Sequence, residues 1–89
     1  MADVAVTTLD GNAIAGLLAD VFGQEMTLAT GTCASCGASG EVGTFVVYTR
    51  APGTVARCPA CTSVLMVLVT VRNVTCVDLR GLAALDLTR

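Results

Sequence analysis

The chain has 89 residues, a formal net charge of −2 and an apolar content of 54%. A chain of this length forms one small domain, because it has no spare length for a second core. The apolar content excludes charge-rich disorder except at the ends, and the acidic balance argues against nucleic acid as a partner. The only aromatic residues are Phe22, Phe45 and Tyr48. Because a core so poor in aromatics buries little area per side chain, we expect a further stabilising feature.

Composition also bears on origin and location. All five basic residues are arginines, which fits a GC-rich genome and predicts a bacterial origin. Residues 1–9 contain Asp3 and no basic residue, unlike the positively charged start of a secretory signal. The longest apolar stretch, residues 64–71, is less than half of the roughly 20 residues that a membrane-spanning helix needs. We therefore expect a cytoplasmic protein without a membrane contact, in which cysteines bind metal or carry out redox chemistry more often than they form disulfides.

The first predicted element is an amphipathic helix over about residues 10–22, preceded by a flexible N-terminus over residues 1–8. Apolar residues recur at the spacing of one helical face. These residues are Ile14, Leu17, Leu18, Val21 and Phe22. Asp10 or Asn12 can cap the start of the helix, and Gly23 can end it.

From residue 26 to about residue 80, the sequence predicts antiparallel β structure. Segments rich in Val, Thr and Leu alternate with Gly, Pro and Asn. The predicted strands cover residues 26–32, 42–50, 55–57, 63–72 and 74–79. Turns are expected over residues 37–43 and 51–53 and at Arg72 and Asn73. Residues 9–89 are therefore predicted to form a single small α+β domain.

Four of the five cysteines form two Cys-x-x-Cys units, whose spacing predicts a metal site. The predicted ligands are Cys33, Cys36, Cys58 and Cys61. Both sulfurs of a unit can turn onto one ion at about 2.3 Å, and a hairpin within residues 37–57 brings the two units together. Gly37 can adopt the positive φ that such a turn often needs, and Pro59 fixes φ inside the second unit. We therefore predict one ion held in a tetrahedron of four thiolates.

The same cysteines have other interpretations. Zinc is favoured, although iron fits the same four thiolates. A thioredoxin-like redox site requires a helix after its cysteine pair, whereas a β segment follows Cys61. Buried thiols without a metal are the remaining alternative, but they seldom occur as two such units. Four protein ligands leave no open position for water and the chain has no His, so no enzyme is predicted.

These features resemble the zinc-ribbon superfamily, in which two rubredoxin-type Cys-x-x-Cys knuckles lie on β-hairpins. The resemblance covers about residues 30–79. More narrowly, five short motifs resemble an uncharacterised bacterial family of short zinc-ribbon proteins, a family of unknown function. The motifs are Leu-Asp-Gly-Asn-Ala (9–13), Gly-Thr-Cys-Ala-Ser-Cys-Gly (31–37), Tyr-Thr-Arg-Ala-Pro-Gly (48–53), Ala-Arg-Cys-Pro-Ala-Cys (56–61) and Asp-Leu-Arg-Gly (78–81). The resemblance implies an N-terminal amphipathic helix followed by an antiparallel β zinc ribbon with one zinc ion, and it implies no activity. Thr62 and Ala34 stand where Gly and Pro are common, which argues against an iron rubredoxin.

The apolar segment 63–72 predicts a protein partner. It shows almost no polar alternation, so both of its faces need cover. The helix covers one face, and we expect the other, which carries Leu65 or Met66, to pack against a second chain or the C-terminal tail. A homodimer is the preferred form.

The fifth cysteine, Cys76, lies outside the metal site and is predicted to be a small, half-buried core residue.

A second candidate contact surface consists of Tyr48, Arg50 and Arg57, which could form a basic, aromatic-edged patch beside the metal. The simpler interpretation of these arginines is a solvated loop end.

The sequence thus predicts a non-enzymatic binding module with structural zinc that mediates protein–protein interaction. The alternatives are a redox protein, either a zinc–thiolate switch or an iron electron carrier, and a zinc ribbon that binds nucleic acid.

Overall fold

The computed structural model describes residues 7–50 and 53–86. Its elements are strand β1 (Thr7–Asp10), helix α1 (Ala15–Phe22), and strands β2 (Thr30–Cys33), β3 (Ser39–Glu41), β4 (Val46–Arg50), β5 (Gly53–Arg57), β6 (Val64–Val71), β7 (Val74–Asp78) and β8 (Leu82–Asp86). One turn of 3-10 helix, Gly11–Ile14, leads into α1, and another, Val42–Thr44, precedes β4. Every strand pair among the described residues is antiparallel. The described residues therefore have an α+β fold with one short α-helix.

The helical segment begins and ends at the residues that the sequence indicates. The Asp10 side chain accepts a hydrogen bond from the backbone N–H of Ala13 at 3.2 Å, and Gly23 ends α1 with a left-handed φ of 76°. Leu18 is fully buried, because the apolar stripe of the helix faces the core. The described helices are all too short or too polar to cross a membrane.

The strands form two sheets. The five-stranded sheet has the order β1-β4-β5-β6-β7, and the three-stranded sheet has the order β3-β2-β8. β4 and β5 pair from Val46 with Arg57 to Arg50 with Gly53, which confirms the hairpin predicted between the cysteine units. Part of the predicted 51–53 turn, residues 51–52, lies outside the described residues. The predicted tight turn at Arg72 and Asn73 is also confirmed, since both residues have positive φ and connect β6 directly to β7.

Three of the strands were not predicted. β1 includes Thr7 and Thr8, which fall in the segment predicted to be flexible; residues 1–6 of that segment lie outside the described residues. β3 forms within the predicted turn over 37–43, and β8 forms in the C-terminal tail. β1 and β8 pair with strands that are distant in sequence. β3 has the sequence Ser-Gly-Glu, which has weak β propensity, so a local pattern reveals none of the three strands.

The core lies against the inner face of the five-stranded sheet and includes Leu65 and Met66. Each of these side chains is 1% exposed, so the expected packing against a second chain is wrong for both, whereas cover from within the chain agrees with the alternative expectation of the C-terminal tail. The pairing of β5 with β6 shifts by one residue between Ala56 and Arg57, which leaves Leu65 as the extra residue of a bulge. This bulge allows two successive side chains of β6 to be buried.

The prediction for Cys76 was wrong, because this residue is exposed. It pairs with Val69, on the sheet face opposite to that of the buried Leu68. β7 is also the last strand of its sheet, so no described strand covers the far side of Cys76. An alternating pattern reveals which residues share a face, but it does not reveal whether the strand is at an edge.

Candidate metal centre

The four predicted cysteines come together at one point. The Sγ atoms of Cys33, Cys36, Cys58 and Cys61 all lie within 4.8 Å of one another. The Cys33 and Cys61 sulfurs are 3.6 Å apart, and those of Cys36 and Cys58 are 3.7 Å apart. Around an ion with sulfur ligands at about 2.3 Å, a tetrahedron has edges of about 3.8 Å. The four thiols, none of which forms a disulfide, therefore fit one tetrahedral metal ion.

Two turns of the same design present these sulfurs. We call residues 33–38 the first knuckle and residues 58–63 the second; the first joins β2 to β3, and the second joins β5 to β6. In each knuckle the residue after the second cysteine donates its N–H to the carbonyl of the first cysteine: Gly37 to Cys33 at 2.9 Å and Thr62 to Cys58 at 2.8 Å. The first cysteine in turn donates to a carbonyl five residues later: Cys33 to Ala38 and Cys58 to Ser63, both at 2.9 Å. Both turns are therefore held by the same pair of backbone hydrogen bonds.

The turn residue that follows each pair has a left-handed backbone. Gly37 has a φ of 79°, and Thr62, at the equivalent place, has a φ of 68°. A β-branched residue is strained there, whereas glycine is not. Arg57 donates from Nη1 to the Thr62 carbonyl at 2.9 Å, which helps to hold the second knuckle in this conformation.

Replacing Thr62 with glycine is expected to stabilise the metal-loaded protein. The left-handed conformation costs a non-glycine residue about 1–2 kcal/mol, so Thr62→Gly should raise the free energy of unfolding by about 1 kcal/mol. Denaturant unfolding of the metal-loaded protein measures this. Thr62→Ala is the control, because it removes the hydroxyl but keeps the strain. Equal stability of the Gly and Ala variants would contradict the explanation.

Hydrogen bonds give the sulfurs different affinities for protons. The side chain and then the backbone of Ser63 lower the pKa of Cys61 to about 6, so this ligand is mainly a thiolate at neutral pH. At Cys36 the backbone N–H of Ala38 also lowers the pKa, but contacts with the neighbouring thiols and desolvation outweigh it and raise the pKa to about 11. A metal ion must therefore displace the proton of Cys36 when it binds, which makes binding weaker at low pH.

The surroundings of the cluster offer little catalytic chemistry. Cys33 and Cys58 are each 2% exposed, while Cys36 is exposed at the surface. A cavity of about 310 Å³ lies beside the two buried sulfurs, between β3 and the second knuckle. Apart from Cys33 and Cys58, its lining contains no titratable side chain. The cavity therefore brings no acid or base to the cluster.

Two residues of the predicted basic patch, Tyr48 and Arg57, have described side chains, and these contact each other. The Arg57 guanidinium lies 5.7 Å from the centre of the Tyr48 ring, in addition to its bond to Thr62. The side chain of Arg50 lies outside the described part of the structure. Because Arg57 is already bound by a carbonyl and a ring, its simplest role is to support the second knuckle.

A residue that was not among the predicted site residues, Gly81, connects the two knuckles. Its carbonyl accepts a hydrogen bond from the Ala34 N–H at 2.9 Å, inside the first knuckle. A Cβ at Gly81 would lie 1.8 Å from the carbonyl oxygen of Val64 and 2.6 Å from the Cα of Leu65, directly after the second knuckle. The Asp-Leu-Arg-Gly motif at 78–81 indicates a turn, but it does not show what the glycine touches.

A family model described as a family of unknown function (DUF6510) matches residues 5–89, which include both knuckles and Gly81. The chain belongs to the DUF6510 family. No curated protein and no solved structure matches it. The expectation of an uncharacterised family is thus confirmed. Membership of the DUF6510 family brings no function with it, so the function has to be argued from the cysteine cluster.

Proposed function

We propose that the protein is a non-enzymatic module in which one zinc ion, bound in the manner of a zinc ribbon, stabilises the fold for contact with another protein. The observation that carries the proposal is the convergence of four sulfurs from two knuckles to within 4.8 Å. Zinc suits a tetrahedron of four thiolates and has no redox chemistry of its own. The knuckles lie on antiparallel hairpins, which is consistent with a zinc ribbon.

Two features support a structural role for the metal over a catalytic one. Four protein ligands complete the tetrahedron, whereas a catalytic zinc keeps one position open for water. The cavity beside the cluster supplies no general acid or base, and the chain contains no His. Hydrolysis at this centre would therefore lack both an activated water and a group to transfer its proton.

An exposed apolar area supports the interaction role. Six large apolar residues are exposed among the described residues, and four of them lie in β6 and β7: Val64, Val71, Val74 and Val77. Val71 and Val74 pair across the hairpin on one face of the sheet, where they are 51% and 62% exposed, and Val77 is 39% exposed on the other face. Adjacent exposed apolar side chains such as Val71 and Val74 are consistent with a surface that another protein covers.

Metal analysis tests the proposal directly. Protein purified without added metal should contain about one zinc per chain and be colourless, because zinc thiolates do not absorb visible light. Elemental analysis and the visible spectrum measure this, and Cys76→Ser, which leaves the cluster intact, should give the same result. A red protein with one iron would instead support an electron carrier, and Cys58→Ser with an unchanged metal content would rule out the cluster as the site.

A further inference from the structure

The outer edge of β7 is open for pairing with another strand. Among the described residues β7 pairs only with β6, through a two-residue hairpin that closes on Val71 and Val74. A hairpin of this length closes on a hydrogen-bonded pair, so every second residue of β7 from Val74 onward directs its backbone groups to β6. Thr75 and Val77 therefore direct their N–H and C=O groups outward, where no described strand meets them.

This edge has few of the features that normally prevent strand pairing. Sheet edges are protected by charged side chains, especially Lys, and by Pro or bulges, and β7 carries only one charge, Asp78 at its end. β7 has the sequence Val-Thr-Cys-Val-Asp, and it pairs with β6 without a shift in register. Val74 is 62% exposed and Val77 is 39% exposed at the same edge. A regular, largely apolar edge strand of this type favours the addition of a strand.

We propose that β7 pairs with β7 of a second copy of this chain, antiparallel and centred on Cys76, so that the two five-stranded sheets form one continuous sheet. The alternation of backbone groups along β7 requires a two-fold axis that passes through a residue and not between residues. Only an axis at Cys76 pairs all five residues of the strand. Thr75 then forms hydrogen bonds with Val77 of the second copy, and Cys76 faces Cys76.

The charges at the two ends of β7 favour a second copy as the occupant. Arg72 lies just before the strand, and Asp78 is its last residue. Antiparallel pairing brings Arg72 of each copy diagonally beside Asp78 of the other, so the complementary contact is made twice. Asp78 already forms an ion pair with Arg80 of its own chain at 2.7 Å, and Arg72 of the second copy would be a second arginine beside it. A second copy therefore matches this strand in length, in backbone pattern and in end charge.

The inference rests on the interaction role proposed above and names the partner, and Cys76 offers a way to test it. In the proposed register the two Cys76 residues form a non-hydrogen-bonded pair, with Cα atoms about 4.5 Å apart, which is within the range of a disulfide. Diamide takes two electrons and two protons from two thiols and leaves one S–S bond. Zinc-loaded protein should then give a covalent dimer on a non-reducing gel, and Cys76→Ser should not.

The register is tested by moving the cysteine. In a Cys76→Ser background, Val77→Cys faces Thr75 of the second copy and not itself. This variant should therefore cross-link at least about tenfold more slowly than the native Cys76, because its sulfurs are too far apart for an unstrained disulfide. Equal rates at the two positions would overturn the proposed register.

Sedimentation tests the contact without any cross-link. Zinc-loaded wild-type protein and Cys76→Ser should both sediment as dimers at micromolar concentration, whereas Val77→Lys should be a monomer, since a lysine blocks the edge. Leu28→Lys is the matched control, because Leu28 is 53% exposed in the turn before β2; it should remain a dimer.

A wild-type monomer, or a dimeric Val77→Lys, would overturn the inference. Zinc content and circular dichroism are measured on every variant. If zinc content and β signal are normal while the protein is monomeric, only the β7 contact fails; if zinc is absent from the wild type, the proposed module itself fails.

Discussion

Removal of the metal is expected to unfold most of the protein at neutral pH. The first knuckle belongs to the three-stranded sheet and the second to the five-stranded sheet, so one ion bound to both joins the two sheets. Structural zinc contributes on the order of 10–16 kcal/mol of apparent binding free energy, against about 3–5 kcal/mol from a core of this size. Two of the ligands, Cys33 and Cys58, are also part of that core. The metal-free chain therefore loses the link between the two sheets, and the remaining core is too small to hold the fold.

Chelation followed by circular dichroism measures the effect. The β signal should be lost when a strong chelator removes the zinc, and it should return when zinc is added back. Cys58→Ser should behave like the chelated protein, while Cys76→Ser should behave like the wild type, because Cys76 is exposed and is not one of the four converging cysteines. A β signal that persists after verified loss of zinc would show that the two sheets hold together without the ion.

The convergence of the four cysteines could be predicted from the sequence because its geometry is local. Two residues between cysteines define a knuckle, and a hairpin between the knuckles brings them together, so spacing and strand pattern were sufficient. Gly37 and Asp10 were likewise predicted from local rules for positive φ and helix capping, and the structure places both as expected.

The remaining features depend on contacts between distant parts of the chain. The burial of Leu65 and Met66 depends on a one-residue shift in the pairing of β5 and β6, which no periodic pattern reveals. The exposure of Cys76 depends on β7 being an edge strand, a property of the sheet order and not of the strand. An apolar segment indicates that cover is needed, but it does not indicate which part of the chain supplies the cover.

Replacing Gly81 with alanine is expected to destabilise the protein strongly. The new Cβ would lie 1.8 Å from the carbonyl oxygen of Val64, which is backbone and has no rotamer to change. The segment before β8 must therefore move away from β6, and the hydrogen bond from Ala34 to the Gly81 carbonyl stretches with it. Overpacking of this kind costs about 3 kcal/mol. Because the strain is applied between the two knuckles, we expect weaker zinc binding as well as lower stability.

The comparison that decides this is Gly81→Ala against Gly16→Ala. Gly16 lies in α1 with no atom within 4 Å of an added Cβ, so alanine there should raise the free energy of unfolding by about 0.5–1 kcal/mol. Denaturant unfolding of the zinc-loaded proteins measures stability, and competition with a chromophoric chelator measures zinc affinity. Gly81→Ala should be impaired in both measurements and Gly16→Ala in neither. If Gly81→Ala is less stable but binds zinc as tightly as the wild type, then the glycine packs β8 onto β6 without positioning the knuckles.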